Sequence, residues 1–437
     1  QLKPSTYTVT VNASGFESRT LSGITVGVGQ SRTADFTVNP AGNTEQITVS
    51  EIVTLDTTSA RVGVNVTETE VKELPLNGRS FDNLITLNPG SINYTYKSPG
   101  TVTSQGNTFS VAGRRPLENI FLLNGIEYTG SSQLANTPGG VSGYLLGIDA
   151  VREFNVQCGT YSTEFGKGAG AQVTAVTQSG TNQFHGSIFE FHRNSALHAR
   201  NIFDLNPSGG KSQAAPFRRN QFGASIGGPI QKDKFFFFGN YEGFRHRLVI
   251  NSVSVVPNQE GRQGRLPNAS TGVYSTVANL IPQMLGYMAF WPQANGPEIL
   301  VAAAAPGTGL VPTGTAYSYN GPKQTINEDF ATLKADYNLR DTDSLSVSYT
   351  IDDGDNTSPL ADPLFGNFIT LRSHVASIRQ THIFSPTVLN TFTAGFSRAE
   401  FGLDGFTFVN FPSNLSFVNG QGPGGVIIGG GTTHSGA

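Results

Sequence analysis

Cysteine is almost missing from this chain. Cys158 is the single one among 437 residues, so no internal disulfide can form and the redox compartment is not legible from it. Charge is sparse as well. Asp, Glu, Lys and Arg make up 14% of the residues, and the net charge is -3. That balance argues against nucleic acid as the main partner, since phosphate binding along a duplex or strand needs a concentrated basic surface. No run of 18 apolar residues occurs, so no spanning helix is expected. The most apolar stretch, VANLIPQMLGYMAFW from Val277 to Trp291, is interrupted by Pro282 and Gly286 and reads as a short amphipathic helix.

Catalytic signatures are missing too. There is no HExxH, no nucleophile elbow, and no phosphate loop, since the glycine-rich GPGGVIIGGG carries no lysine. His185, His192, His198, His246, His374, His382 and His434 are scattered without metal-ligand spacing. Asp352, Asp353 and Asp355 cluster around Gly354 in DDGDNTSP; calcium suits such a cluster, and a solvated loop at a strand end is the preferred reading. Cys158 has no basic neighbour to activate a thiolate. The expectation is a protein that is no enzyme, with no catalytic residue, cofactor or metal.

What the chain does have is glycine (52), phenylalanine (30) and abundant Thr, Ser, Asn and Val, a profile of strands and turns. Period-two alternation is clear in DSLSVSYTID, where Leu345, Val347, Tyr349 and Ile351 oppose Ser344, Ser346, Ser348 and Thr350. It recurs in FATLKADYNL and NTFTAGFSR. In KFFFFGNYEG, Phe235, Phe237 and Tyr241 fall on one face and Asn240 and Glu242 on the other; Phe236 and Phe238 are left for a membrane boundary or for interior protein. Seven strands are expected, over 184–194, 217–228, 234–247, 326–338, 343–353, 371–384 and 388–400. Their connections alternate strictly between short (GPIQKD, LRDTD, SPT) and long (Ser195 to Pro216, Leu248 to Thr325, Gly354 to Thr370). Outer-membrane barrels behave so, with tight turns at one rim and long loops at the other. Lipid offers backbone N–H and C=O groups no partner, so such a sheet must close, and seven strands cannot do this alone. The start at Gln1 without Met or signal peptide, and the glycine-rich end, mark the chain as a fragment on this reading.

The preceding segments carry a resemblance. VAGRRPLENIFLLNGIEY (Val111 to Tyr128), IDAVREFNVQCGTYSTEFG (Ile148 to Gly166) and GAGAQVTAVTQSGTNQFHGS follow one another as in the plug of TonB-dependent receptors, with Asn124 where an Asp is usual. LPLNGRSFDNLITLNPG (Leu74 to Gly90) and RRNQFGASIGGPI resemble the Oar-like branch. Residues 1–40, with YTVTVNASGFES, resemble the second half of a carboxypeptidase regulatory-like β-sandwich, a non-catalytic module. EQITVSE resembles a TonB box, the segment that an energy-coupling protein grips as an added strand.

The resemblance implies a mainly β chain: a partial sandwich (1–40), a linker with a candidate box (41–50), an α+β plug (51–181) and the first part of an antiparallel transmembrane barrel (182–437), about seven of an expected 22 strands. It implies box residues Glu45, Gln46, Ile47, Thr48, Val49 and Ser50, and plug-motif residues Gly113, Arg114, Arg115, Asn119, Asn124, Gly125, Glu153, Tyr161 and Gly166. Arg114 and Arg115 either face substrate or pair with the barrel wall, with a solvated turn as the alternative. The implied place is the outer membrane, with the box and sandwich in the periplasm. The implied partners are a TonB-type coupling protein, outer-membrane lipid and an unidentified ligand. Energy-coupled transport is the leading expectation, and adhesion or secretion on the same barrel the alternative.

Overall fold

The computed structural model describes residues 5–27, 32–40, 48–50, 62–93, 106–128, 137–158, 165–200, 214–307, 309–360, 362–385, 387–422, 424–428 and 432–435. At the N-terminal end, β1 (Ser5–Val11) and β2 (Arg19–Val26) form an antiparallel hairpin around the Gly15 turn. β3 (Thr48–Ser50) adds to β2 in parallel, Thr20 beside Thr48.

A second, five-stranded sheet follows. β4 (Val62–Val66) leads into helix α1 (Glu68–Glu73), whose start is fixed by a capping box: the Glu70 N–H donates to Thr67 Oγ1 and the Thr67 N–H to the Glu70 carboxylate. A small hairpin of β5 (Ser91–Asn93) and β6 (Phe109–Val111) stands beside the sheet. The sheet is completed by β7 (Ile120–Leu123), β8 (Ile126–Glu127), β9 (Val151–Cys158) and β10 (Ala171–Thr177), in the order β4-β9-β10-β7-β8. Its core holds Val66, Val71, Phe81, Leu84, Ile85, Phe109, Phe121 and Phe154, all buried.

The third sheet is antiparallel and carries the membrane pattern. β11 (His185–Asn194), β12 (Phe217–Gln231) and β13 (Phe235–Val249) come first. The expected loop after β13 is largely folded: β14 (Ser252–Pro257), β15 (Arg265–Pro267), β16 (Tyr274–Thr276), β17 (Glu298–Ala302) and β18 (Leu310–Asn320) make two small sheets. Pro282–Met288 is the short helix expected there, and it buries Tyr287 beside Trp291 and Leu415. The third sheet then resumes with β19 (Lys323–Arg340), β20 (Asp343–Pro359), β21 (Phe365–Ser385) and β22 (Val388–Thr407), in the order β11-β12-β13-β19-β20-β21-β22. β23 (Gly425–Ile428) and β24 (Thr432–Ser435) form a last hairpin. All seven expected strands are present, and the sheet does not close, leaving β11 and β22 as edges.

One connection departs from expectation. The third loop, placed at Gly354 to Thr370, is cut to 360–364, because β20 and β21 stay paired out to Pro359 opposite Gly366. Asp355 therefore lies within the same strand as Asp352 and Asp353 rather than in a loop beyond its end. Gly354 is there for close approach instead of a turn: a Cβ on it would stand 2.6 Å from the Val141 side chain.

The two faces of this sheet differ as the alternation predicts. Leu333, Val347, Tyr349, Ile378, Phe392 and Phe396 are exposed on the outward side, while Thr332, Ser348, Thr350 and Ser377 are buried on the inward side. The four phenylalanines divide between them, with Phe238 buried among Val141, Leu146 and Phe330. Beyond this apolar band the outward face turns charged, in the register row Asp329, Asp353, Arg372 and Glu400. Arg245 there pairs with Asp329, and Arg372 with Asp353. No described helix is long and apolar enough to cross a membrane.

In the full-length protein folded into lipid vesicles, Leu333→Arg in the apolar band should cost about 2–4 kcal/mol, and Leu339→Arg near the tight turn about 0–1 kcal/mol. Urea titration reads both; equal costs at the two depths would contradict the placement of the band.

Candidate functional site: the contact layer between the mixed sheet and the barrel wall

The loop Pro138–Gly147, PGGVSGYLLG, runs against the inward face of β13, β19 and β20. Its glycines are small for a reason. A Cβ on Gly140 would meet the Glu328 carboxylate at 2.2 Å, and one on Gly147 (φ 85°) the Phe330 ring at 2.1 Å. With the backbone that close, two wall carboxylates take up loop N–H groups. The Ser142 N–H donates to Glu328 Oε2 (2.7 Å) and the Gly147 N–H to Glu242 Oε2 (3.0 Å). Both glutamates are fully buried. A buried carboxyl without such donors would be costly.

A second segment locks in beside it. In LPLNGRS, Gly78 and Arg79 both adopt positive φ (75° and 53°), which turns the Arg79 side chain into the interface. Its guanidinium pairs with Asp149 (2.8 Å), approaches Glu242 (3.7 Å), and lies 3.8 Å from the centre of the Phe189 ring on β11. Gln221 bridges the same group, donating to the Gly78 carbonyl (3.1 Å) and to Glu242 Oε1 (2.6 Å). Ser80 Oγ accepts from the Leu145 N–H (2.8 Å), which ties the two docking segments to each other as well as to the wall.

The third contact involves an expected residue. Asn124 (φ 52°) and Gly125 (φ 87°) make the β7–β8 turn, as the Asn-Gly pair requires. Asn124 donates to Ser348 Oγ on β20 (2.9 Å) and accepts from the Thr177 N–H (3.0 Å), while Arg379 on β21 donates to its carbonyl (3.1 Å). Lys334 on β19 reaches the Thr177 carbonyl (3.0 Å). Tyr128 is buried by the same docking; burial, and next the charge of Asp352, hold its phenol well above the ordinary value.

The other expected residues do different work. Asn119 is a bracket within the mixed sheet, donating to the Phe109 carbonyl and accepting from the Ala171 N–H, both at 2.8 Å. Glu153 is buried in β9 and accepts from Asn65 (3.2 Å). Gly113 (φ 73°), Arg114 and Arg115 form an exposed turn, and among the described residues neither arginine is in an ion pair to the wall. Gly166 lies in a turn, its carbonyl accepting from Gly168 (2.8 Å). Tyr161 lies outside the described residues, as do Glu45, Gln46 and Ile47 of the candidate box; Thr48, Val49 and Ser50 are strand β3. Arg79, Asp149, Glu328 and Gln221 were not singled out from the sequence. Their signal is a glutamate at an inward position of a spanning strand, which has to find a partner.

An outer membrane beta barrel domain model matches residues 176–435. The chain belongs to that family. The outer membrane is therefore its place, as the strand pattern anticipated. It is 29% identical over 276 residues to the TonB-dependent transporter Oar of Myxococcus xanthus, a match covering 58% of this chain and 24% of that one. The chain thus spans about a quarter of the length of that relative. Among solved structures it is similar to the outer membrane transporter YddB from Escherichia coli (TM-score 0.48, 13% identity, 77% of this chain and 38% of that one). It is also similar to the siderophore receptor PiuA from Acinetobacter baumannii (TM-score 0.40, 11% identity, 86% and 48%). These relatives are transporters and receptors rather than enzymes.

Removing one member of the contact layer should strand its partners. Glu242→Ala leaves the Gly147 N–H without its acceptor and takes one acceptor from Gln221 and one carboxylate from Arg79, which keeps Asp149, and is expected to cost about 3–5 kcal/mol. Glu68→Ala, which breaks the exposed pair with Lys72, should cost about 0.5 kcal/mol or less. Urea unfolding of the full-length protein in detergent, followed by near-UV circular dichroism, checks the contrast; similar losses would contradict it.

Proposed function

We propose that the chain is the plug and the first barrel strands of a TonB-dependent outer-membrane transporter, with residues 51–181 as the plug, 1–40 as part of a regulatory-like sandwich, and Glu45–Ser50 as the segment gripped by the coupling protein. The observation that carries this reading is the contact layer. A mixed sheet that sends Arg79, Ser142, Gly147 and Asn124 onto Glu242, Glu328 and Ser348 of a spanning wall is built to stay seated.

The same contacts define what opening requires. Several charge-assisted bonds must break together, and a ligand binding from outside shifts the seating only by its differential affinity for the two states. A mechanical pull on a strand-forming segment N-terminal to the mixed sheet supplies the missing work. Its handle is a backbone edge, which a partner sheet takes up by strand addition. β3 already pairs in parallel with β2, so the coupling protein would displace or extend an existing ladder. The similarity to Oar supports the transport reading, while the cargo is left to the ligand-facing residues.

The test is capture of the full-length protein by the periplasmic domain of a TonB-type protein, measured by calorimetry, with energy-dependent uptake measured in cells. Deleting Glu45–Ser50 should weaken capture by tenfold or more, about 1.4 kcal/mol, and abolish uptake. Undiminished capture and uptake would overturn the assignment.

A further inference from the structure

A cavity of about 440 Å³ opens at the long-loop end of β11, β12 and β13, above the contact layer. Arg193, Arg219, His246, His198 and Phe217 line it, and no carboxylate does among the described residues. The register makes its chemistry unusual. Arg193 stands directly opposite Arg219 across β11 and β12, and Arg219 directly opposite His246 across β12 and β13. Like charges in direct cross-strand opposition are destabilising unless something neutralises them. On the outward face the arginines Arg245, Arg372 and Arg398 each carry a carboxylate partner. Among the described residues Arg193 and Arg219 carry none: Arg193 meets the Phe217 ring at 5.5 Å, and Arg219 lies among Tyr144, Phe217 and Phe244 at 5.2–5.7 Å.

His246 is the second, independent observation. Only 5% of it is exposed. Arg219 Nε donates to its Nδ1 (3.3 Å), which leaves Nε2 as the donor of the ring, and Nε2 has no hydrogen-bond partner. A buried N–H left unpaired costs about 1–3 kcal/mol, and an acceptor placed in the adjoining cavity recovers it. Phe217 packs edge-on against His246 (5.2 Å) and beside His198 (5.4 Å), giving the cavity an aromatic wall.

We infer that this cavity is a binding site for a small anion, a phosphate or carboxylate carried on an aromatic or apolar body, held by Arg193 and Arg219 with His246 Nε2 as the directional donor. The ring of such a ligand stacks on Phe217. The site deepens the transport reading and rests on it for its purpose, since it would give the cargo's charged group a seat directly above Tyr144 and the docked loop. Arg219 touches both the cavity and Tyr144, so occupancy is felt at the contact layer.

The probe is phenyl phosphate, with benzoate in parallel and phenol as the neutral control, titrated by calorimetry and ligand-observed NMR into the full-length protein in detergent. Saturable binding of phenyl phosphate or benzoate at about 1 mM or tighter, absent for phenol, is expected. Arg193→Gln and His246→Gln should each weaken it several-fold, and the pair by tenfold or more. Arg193 is exposed at the rim, so Arg193→Gln keeps the test open if substitution at His246 disturbs folding. Equal binding by Arg193→Gln, binding of phenol as tight as that of phenyl phosphate, or no saturable binding would overturn the site. The assay needs no coupling protein. Loss of TonB capture with probe binding intact would sink the transport reading alone, and the reverse would sink the site alone.

Discussion

Two buried glutamates, Glu242 and Glu328, bind the molecule together. Each sits on the inward face of a barrel strand, and each takes a backbone N–H from a loop of the mixed sheet. A carboxylate inside a spanning sheet is tolerable only if it is paired or hydrogen-bonded. The wall therefore needs the mixed sheet as much as the mixed sheet needs a surface to sit on. The glycines at 140, 147 and 354 follow from this, because the backbone must come within hydrogen-bond reach of the wall.

The consequence for mechanism is a seating that is stable and still separable. Apolar contacts from Val141, Leu146 and Phe238 add non-directional burial around the polar bonds. The polar bonds fix the register of loop against wall, and water can replace them once the loop lifts. Above this layer lies a row of basic and aromatic side chains without carboxylates, while below it the Asn124 turn is held by Ser348 and Arg379.

Much of the architecture was legible in the residues. The alternation in DSLSVSYTID and NTFTAGFSR placed β20 and β22, and in β20 it assigned the faces correctly, because the side-chain period of a strand is fixed by its backbone. DDGDNTSP reads as a strand end running into a loop, since glycine and aspartate signal turns locally, yet the strand continues: Gly354 makes room for Val141 and Asp353 pairs with Arg372 across the ladder. The module between β13 and β19 was seen only as a long connection with one helix. Its buried cluster of Val256, Tyr287, Trp291 and Leu415 joins residues far apart in sequence, which periodicity does not report. Of the site, Asn124 was singled out for its turn and proved to touch the wall as well. Arg79 escaped notice because its role depends on a positive φ at a non-glycine residue and on partners up to 163 positions away, at Glu242.

The most direct measurement of the account is amide hydrogen exchange across Gly140–Gly147 in the intact, membrane-embedded protein, read residue by residue. Slow exchange at Ser142 and Gly147, accelerated when Glu328 or Glu242 is replaced by alanine, is the predicted result. Rapid exchange at both amides in the unaltered protein would mean that the loop is not seated on the wall, and the account would fail.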